Sequence, residues 1–195
     1  MKKIIITILV AALILYGTSW ALQGTAAKNA QEEHLWLMQT LLPGSESFVV
    51  EPYGGEDANI VSVHKAENDF VVETVTYGYA DNIRMMTAVN KDGKVTGLVV
   101  LEAHETMGLG NNALTDHVFL SQFLNGSGNF AVATNGADAF TGATGAEEPT
   151  EGESVDVDAI TGATVTSKAV VRCVNSAVAY VTGADAVTEA TSWGG

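Results

Sequence analysis

A chain of 195 residues with 23 acidic and nine basic side chains carries a formal net charge of −14 at pH 7. So acidic a surface repels phosphate backbones and anionic lipid heads, which excludes nucleic-acid binding. Cys173 is the sole cysteine, and His34, His64, His104 and His117 lie scattered without metal-ligand spacing. An internal disulfide and a multi-cysteine iron–sulfur or zinc centre are therefore excluded, and any cofactor is organic.

In chain order, the first element is apolar. No residue from Ile4 to Ala27 is charged, and about 20 apolar residues cross a bilayer as a helix. Lys2 and Lys3 precede the run, so residues 1–28 read as one N-terminal transmembrane anchor with the rest of the chain on the extracytoplasmic side. The competing reading is a cleaved signal peptide, with Ile4–Tyr16 as its apolar region and Thr18-Ser19-Trp20-Ala21 as the cut. Continued apolar character through Trp20, Ala21 and Leu22 favours the anchor. Both readings export the remainder. Beyond Lys28 the chain has six basic and 23 acidic residues, a formal charge of −17.

Residues 29–47 read as a linking helix, with Leu35, Met38 and Leu41/Leu42 at helical spacing and Pro43-Gly44 as its stop. From Phe48 to Leu101 short β-rich runs follow: FVVEPY, NIVSVH, DFVVETVTYGY, NIRMMTAV and KVTGLVVL. Asn90-Lys91-Asp92-Gly93 has hairpin-turn chemistry. HETMGLGNN reads as a glycine-bearing loop. TDHVFLSQFLNG reads as a short helix capped by Thr115 or Asp116, with Val118, Phe119 and Phe123 inward. GNFAVAT reads as a strand and residues 135–157 as an acidic low-complexity loop. TSKAVVRCVNSAVAYV is a strong amphipathic helix with Val170, Cys173, Val174, Ala177, Val178 and Val181 on one face. Residues 184–195 read as a tail. The expected fold is α+β: a mostly antiparallel sheet with a few covering helices, forming a domain over 48–183.

The phrase Asp-Ala-x-Thr-Gly-Ala-Thr occurs twice, at Asp138–Thr144 and Asp158–Thr164. The second copy stands directly before the strong helix. Helix N-termini carry unpaired N–H groups and partial positive charge that favour a phosphate. Gly162 and Ala163 leave the backbone approachable, and Thr164 adds a hydroxyl. Lys168 is a cation in the first helical turn, which the dipole disfavours and a bound anion would explain. The first copy is followed by GAEEPTEGE, whose acids and Pro149 offer a phosphate neither helix terminus nor cation. Local physics selects Thr164 over Thr144. The plainer reading is a capping turn, since threonine is a common N-cap, and local physics alone leans that way.

DAITGATVTSKAVVRCV resembles the flavinylation motif of the FMN-binding domain found in the G subunit of Rnf electron-transport complexes. A similar domain occurs in the C subunit of the sodium-pumping NADH:quinone oxidoreductase. The resemblance implies that Thr164 carries FMN through a phosphoester made by a flavin transferase. It makes Asp158 the motif aspartate and Thr161, Gly162 and Ala163 the small-residue turn, with Thr166 and Lys168 in the helical turn that follows. LVVLEAHETMGLG resembles the family's loop beside the flavin. There His104, Glu105, Thr106, Gly108, Leu109 and Gly110 match, and Met107 stands where proline is usual. The family letters at Asp138 also keep a second flavin at Thr144 open.

The function implied is a membrane-anchored electron carrier with covalent FMN. Its partners would be the other membrane subunits of an Rnf-like complex, coupling ferredoxin and NAD redox chemistry to ion transport. It is no complete enzyme alone, and no general acid, base or nucleophile is needed for turnover. A stand-alone extracytoplasmic flavinylated carrier and a flavin-free envelope or adhesion module are the alternatives. Cys173 reads as a buried, inert thiol. Tyr77 and Tyr79 read as core or as the edge of the flavin pocket.

Overall fold

A computed structural model describes residues 28–133 and 154–183. The N-terminal anchor, the first TGAT copy with Thr144, and the tail lie outside the described residues. Among the described residues, no helix is long and apolar enough to cross a membrane.

The chain divides into two compact units, Met1–Thr40 and Leu41–Gly195. In the first, α1 runs over residues 28–41, ending into the second unit just before Pro43-Gly44. On it Lys28 pairs with Glu32 at 3.7 Å across one turn, an exposed contact worth a few tenths of a kcal/mol, roughly 0.3–0.5.

The second unit is built on an antiparallel meander. Its strands β1 (Val49–Glu51), β2 (Ile60–Ala66), β3 (Asp69–Tyr77), β4 (Asn82–Val89) and β5 (Val95–Ala103) pair in sequence order. The expected turn closes β4 to β5: the Asn90 side chain accepts from the N–H groups of Asp92 and Lys94 at 3.0 and 2.9 Å. Alternation gives the sheet two buried faces. Val63, Val72, Ile83, Met85, Val89 and Val95 lie on one, in the main core. Val71, Met86 and Ala88 lie on the other, fully buried. There Leu41 sits against Gly97, where any side chain would meet it at 3.0 Å.

After β5 come two short helices, α2 (Gly110–Thr115) and α3 (His117–Ser121). The Asp116 side chain caps α3 by accepting from Val118 and Phe119 N–H at 2.8 and 3.1 Å. Phe119 and Phe123 point inward and stack edgewise at 5.6 Å, with Phe130 joining at 5.2 Å. Val118, expected inside, is 77% exposed; the five-residue helix buries one side only, held by Phe119, and Phe123 joins it from the turn that follows.

β6 (Asn129–Ala133) then pairs in parallel with β7 (Ser154–Asp158). β7 corrects the expectation of a loop through residue 157. Val155 and Val157 alternate with acids, and Val157 is fully buried. α4 (Thr164–Thr182) covers the core face of the sheet. Val170, Val174 and Val178 are at most 2% exposed, and each such burial contributes about 1.5–3 kcal/mol.

Polar side chains fix the covering layer in register. Asn175 on α4 donates to Phe130 C=O at 2.9 Å and accepts from Phe130 N–H at 2.8 Å. Gln122 does the same for β7, accepting from Asp158 N–H at 2.8 Å and donating to its carbonyl at 3.2 Å. At the far end of α4, the Tyr180 hydroxyl donates to Glu51 at 2.7 Å. Burial, with that carboxylate beside it, pushes the Tyr180 phenol up to about 12.

Candidate functional site

β7 delivers the chain to Asp158, and after five intervening residues α4 begins. Between them, Ile160–Ala163 form a four-residue turn closed by Ala163 N–H donating to Ile160 C=O at 2.9 Å. Gly162, its third residue, has φ +79°, a conformation that favours glycine. Ser167 locks the turn from inside the helix. Its hydroxyl donates to Ala163 C=O at 3.0 Å and accepts from Ile160 N–H at 3.3 Å.

Thr164 is the first helical residue, and the cap position falls on Ala163, with no side-chain cap hydrogen bond. Among the described residues the hydroxyl of half-buried Thr164 makes no hydrogen bond to the helix. The first amide to find a helical carbonyl is Ser167 N–H, bonded to Ala163 C=O at 2.8 Å. The N–H groups of Thr164, Val165 and Thr166 lie in the turn that an α-helix leaves without intrahelical partners. Amides and a hydroxyl without partners among the described residues stand together with a positive dipole end at one point.

The loop after β5 repeats the same turn. Leu109 N–H donates to Thr106 C=O at 3.3 Å, and Gly108, again third in the turn, has φ +81°. Met107 fills the second position, where proline's fixed φ suits such turns; its side chain projects into solvent, 88% exposed. Leu109 lies against Gly162, its Cδ2 3.1 Å from where a Cβ would stand. The loop and the TGAT turn are thus in contact.

Glu105 carries that contact further. One carboxylate oxygen accepts from Tyr79 and Ala80 N–H at 2.9 and 3.2 Å. The other accepts from the Thr166 hydroxyl at 2.8 Å. Around the helix start, Leu109, Met107, Val165 and Tyr79 expose apolar surface, suited to a flat aromatic ring, while the free amides suit an anionic end.

The structure thus brings together Gly162, Ala163, Thr164, Thr166, Glu105, Leu109 and Gly110. Thr106 and Gly108 shape the loop. Thr161 and Lys168 are exposed beside the turn, as is the side chain of Asp158. His104 stands apart. It lies just past the end of β5, with its Nε2 3.7 Å from Glu102. It lines an open groove of about 330 Å³ with Val61, Val75, Asp81, Asn82, Arg84 and Glu102.

Cys173 is fully buried, its Sγ 3.3 Å from the Thr76 hydroxyl. Burial pushes its thiol up, against the weaker lowering effect of that hydroxyl. A protonated thiol without solvent access is inert. Two residues important to the site's shape escaped sequence reasoning. Ser167 had a faint signal, since a serine near a helix start can bond the carbonyl four residues back. Gln122 had none.

Comparison with known proteins agrees with the resemblance seen in the motifs. A model of the FMN-binding domain matches residues 78–179, more than half of the chain. The G subunit of the sodium-translocating ferredoxin:NAD(+) oxidoreductase complex of Acetobacterium woodii is 29% identical over 192 residues, covering 87% of this chain and 84% of its own. Its counterpart in the proton-translocating complex of Clostridium ljungdahlii is 29% identical over 181 residues, covering 93% and 89%. Among solved structures, the C subunit of the sodium-translocating NADH-quinone reductase of Parabacteroides distasonis aligns with a TM-score of 0.44 at 22% identity, over 63% of this chain and 60% of that one. On the family match, this chain is a member of the FMN-binding domain family.

Proposed function

We propose that this protein is a membrane-anchored electron-transfer subunit of an Rnf-type redox-driven ion-translocating complex, with FMN joined to Thr164 through a phosphoester. The observation that carries this reading is the Thr164 hydroxyl, which begins α4 without capping it. A mere capping turn would engage that hydroxyl with an amide of the first turn. The complexes named for the two G-subunit relatives support the choice of assembly.

The residues fit the group. Amides of the first turn of α4 would hold its phosphate, and Lys168 adds a cation nearby. Leu109 and Met107 would face the ring, where methionine's soft thioether packs well on aromatic surface. When bound, FMN supplies one- and two-electron transfer; the protein holds it in place and sets its surroundings. Residues 1–28 would anchor the chain, with the domain on the extracytoplasmic side. There a covalent tether keeps the cofactor from diffusing away.

The test is retention of flavin through denaturation. The full chain is produced in a host with an active flavin transferase, unfolded in guanidinium and passed over a desalting column. Yellow colour and flavin fluorescence should stay with the wild-type protein and vanish in Thr164→Val. Colour that separates from the wild-type chain in denaturant would reduce the reading to non-covalent binding, and a colourless protein would remove it.

A further inference from the structure

We propose that Glu105 is a positioning residue for the Thr164 acceptor, a carboxylate staple that fixes the start of α4 against the β3–β4 turn. The inference rests on the reading of Thr164 as the attachment point and goes beyond it, to the residue that sets where that hydroxyl stands.

Three segments distant in sequence meet at this carboxylate. From the β3–β4 turn come the N–H groups of Tyr79 and Ala80; from α4 comes the Thr166 hydroxyl; the loop after β5 supplies Glu105 itself. Neither turn amide is bonded elsewhere among the described residues. The pocket for the carboxylate is built by two glycines. A Cβ on Gly78 would stand 2.2 Å from one Glu105 oxygen, and a Cβ on Gly110 2.5 Å from the other and 2.7 Å from the Thr166 hydroxyl. Real Cβ atoms do not approach so closely, so both positions are clear of side chains where the carboxylate sits.

The staple's choice of donor also matters. It takes the hydroxyl of Thr166 and leaves the backbone amides of the α4 first turn to a ligand. Arg172 adds a second tie between the same elements, donating to Tyr77 C=O at 2.8 Å. Thr166 is 1% exposed and lies two residues beyond Thr164. Its rotation about the helix axis therefore fixes the direction of the acceptor. Among the described residues Glu105 has no hydrogen bond to Thr164, and its tie to α4 is the Thr166 hydroxyl, so its effect passes through Thr166.

The experiment measures flavin transfer onto the full-length chain by a flavin transferase with FAD, following intact mass against chain concentration. Glu105→Gln and Thr166→Val should each lower kcat at least about tenfold with KM changed less than about threefold, as misplaced reacting groups do. Thr166→Ser, which keeps the donor, should transfer at close to the wild-type rate. The double variant should be no slower than the slower single one. Wild-type kcat in either Glu105→Gln or Thr166→Val would overturn the proposal. Should Glu105→Gln fail to fold, Thr166→Val decides, because valine matches threonine in shape.

A second readout needs no flavin. In Thr166→Val the amides of Tyr79 and Ala80 should exchange with deuterium at least about tenfold faster, since the staple has lost its far end. Unchanged exchange would overturn the staple. A wild-type chain that accepts no FMN would instead dispose of the acceptor reading, with amide exchange still deciding the role of Glu105.

Discussion

Thr164 and Met107 show how much one residue's place in a turn decides. Thr164 is one position too late to cap α4, because the cap falls on Ala163. A hydroxyl that could have contributed about 1 kcal/mol as a cap is left for other use. Met107 occupies the second position of the Thr106–Leu109 turn, its N–H is unbonded among the described residues, and its φ is not positive. Proline should therefore fit. Met107→Pro is expected to raise stability by about 0.4–1 kcal/mol through a stiffer unfolded chain, measured by urea denaturation. A loss of more than about 1 kcal/mol would show that the backbone there is not proline-compatible. The sequence made the TGAT turn and the loop glycines legible, since each glycine fills a backbone need. It could not separate His104 from Glu105, because both follow β5 in a loop and only the fold says which of the two reaches α4.

At the scale of elements, composition and helical period made most of the fold readable. The meander strands are short β-rich runs, and α4 carries its valines at helical spacing. β7 was obscured by composition: Ser154–Asp158 alternates as a strand should, yet the acidic, low-complexity stretch before it suggested a longer loop. Pairing with β6 and the Gln122 bonds to Asp158 hold it in place, and neither is local. The short α3 was legible as a helix with Phe119 and Phe123 inward, and only Val118 was misplaced. Phe123, fully buried between Phe119 and Phe130, should cost about 3–5 kcal/mol as Phe123→Ala. Val118→Ala, at an exposed position, should stay within about 0.5 kcal/mol. Chemical denaturation of both variants checks the orientation of α3, and equal losses would contradict it.

For the whole molecule, charge is the dominant quantity. Beyond Lys28 the formal charge of −17 is large, while the α4 N-terminus offers only about half a positive charge. The local term still prevails for a bound phosphate, because charges farther away than about 8–10 Å are screened at physiological salt. At longer range the acidic surface governs encounters. Once flavinylated and reduced, the protein should pass electrons to a small cationic acceptor more slowly as salt rises, and to an anionic one such as ferricyanide faster. Stopped-flow rates at low and high ionic strength test this. The opposite trends would mean that the cofactor lies in a locally positive field. Net charge was legible from the first line of the sequence; which surface surrounds the cofactor depends on how the loop and α4 meet.

The central claim is that Thr164, and not its counterpart in the first TGAT copy, carries the flavin. Tandem mass spectrometry of a protease digest of the full-length chain, made in the presence of a flavin transferase, tests it most directly. An FMN-minus-water adduct is expected, with fragment ions that place it on Thr164 and the peptide bearing Thr144 unmodified. An adduct on Thr144 alone, or none on either threonine from a host whose transferase modifies a control substrate, would contradict it.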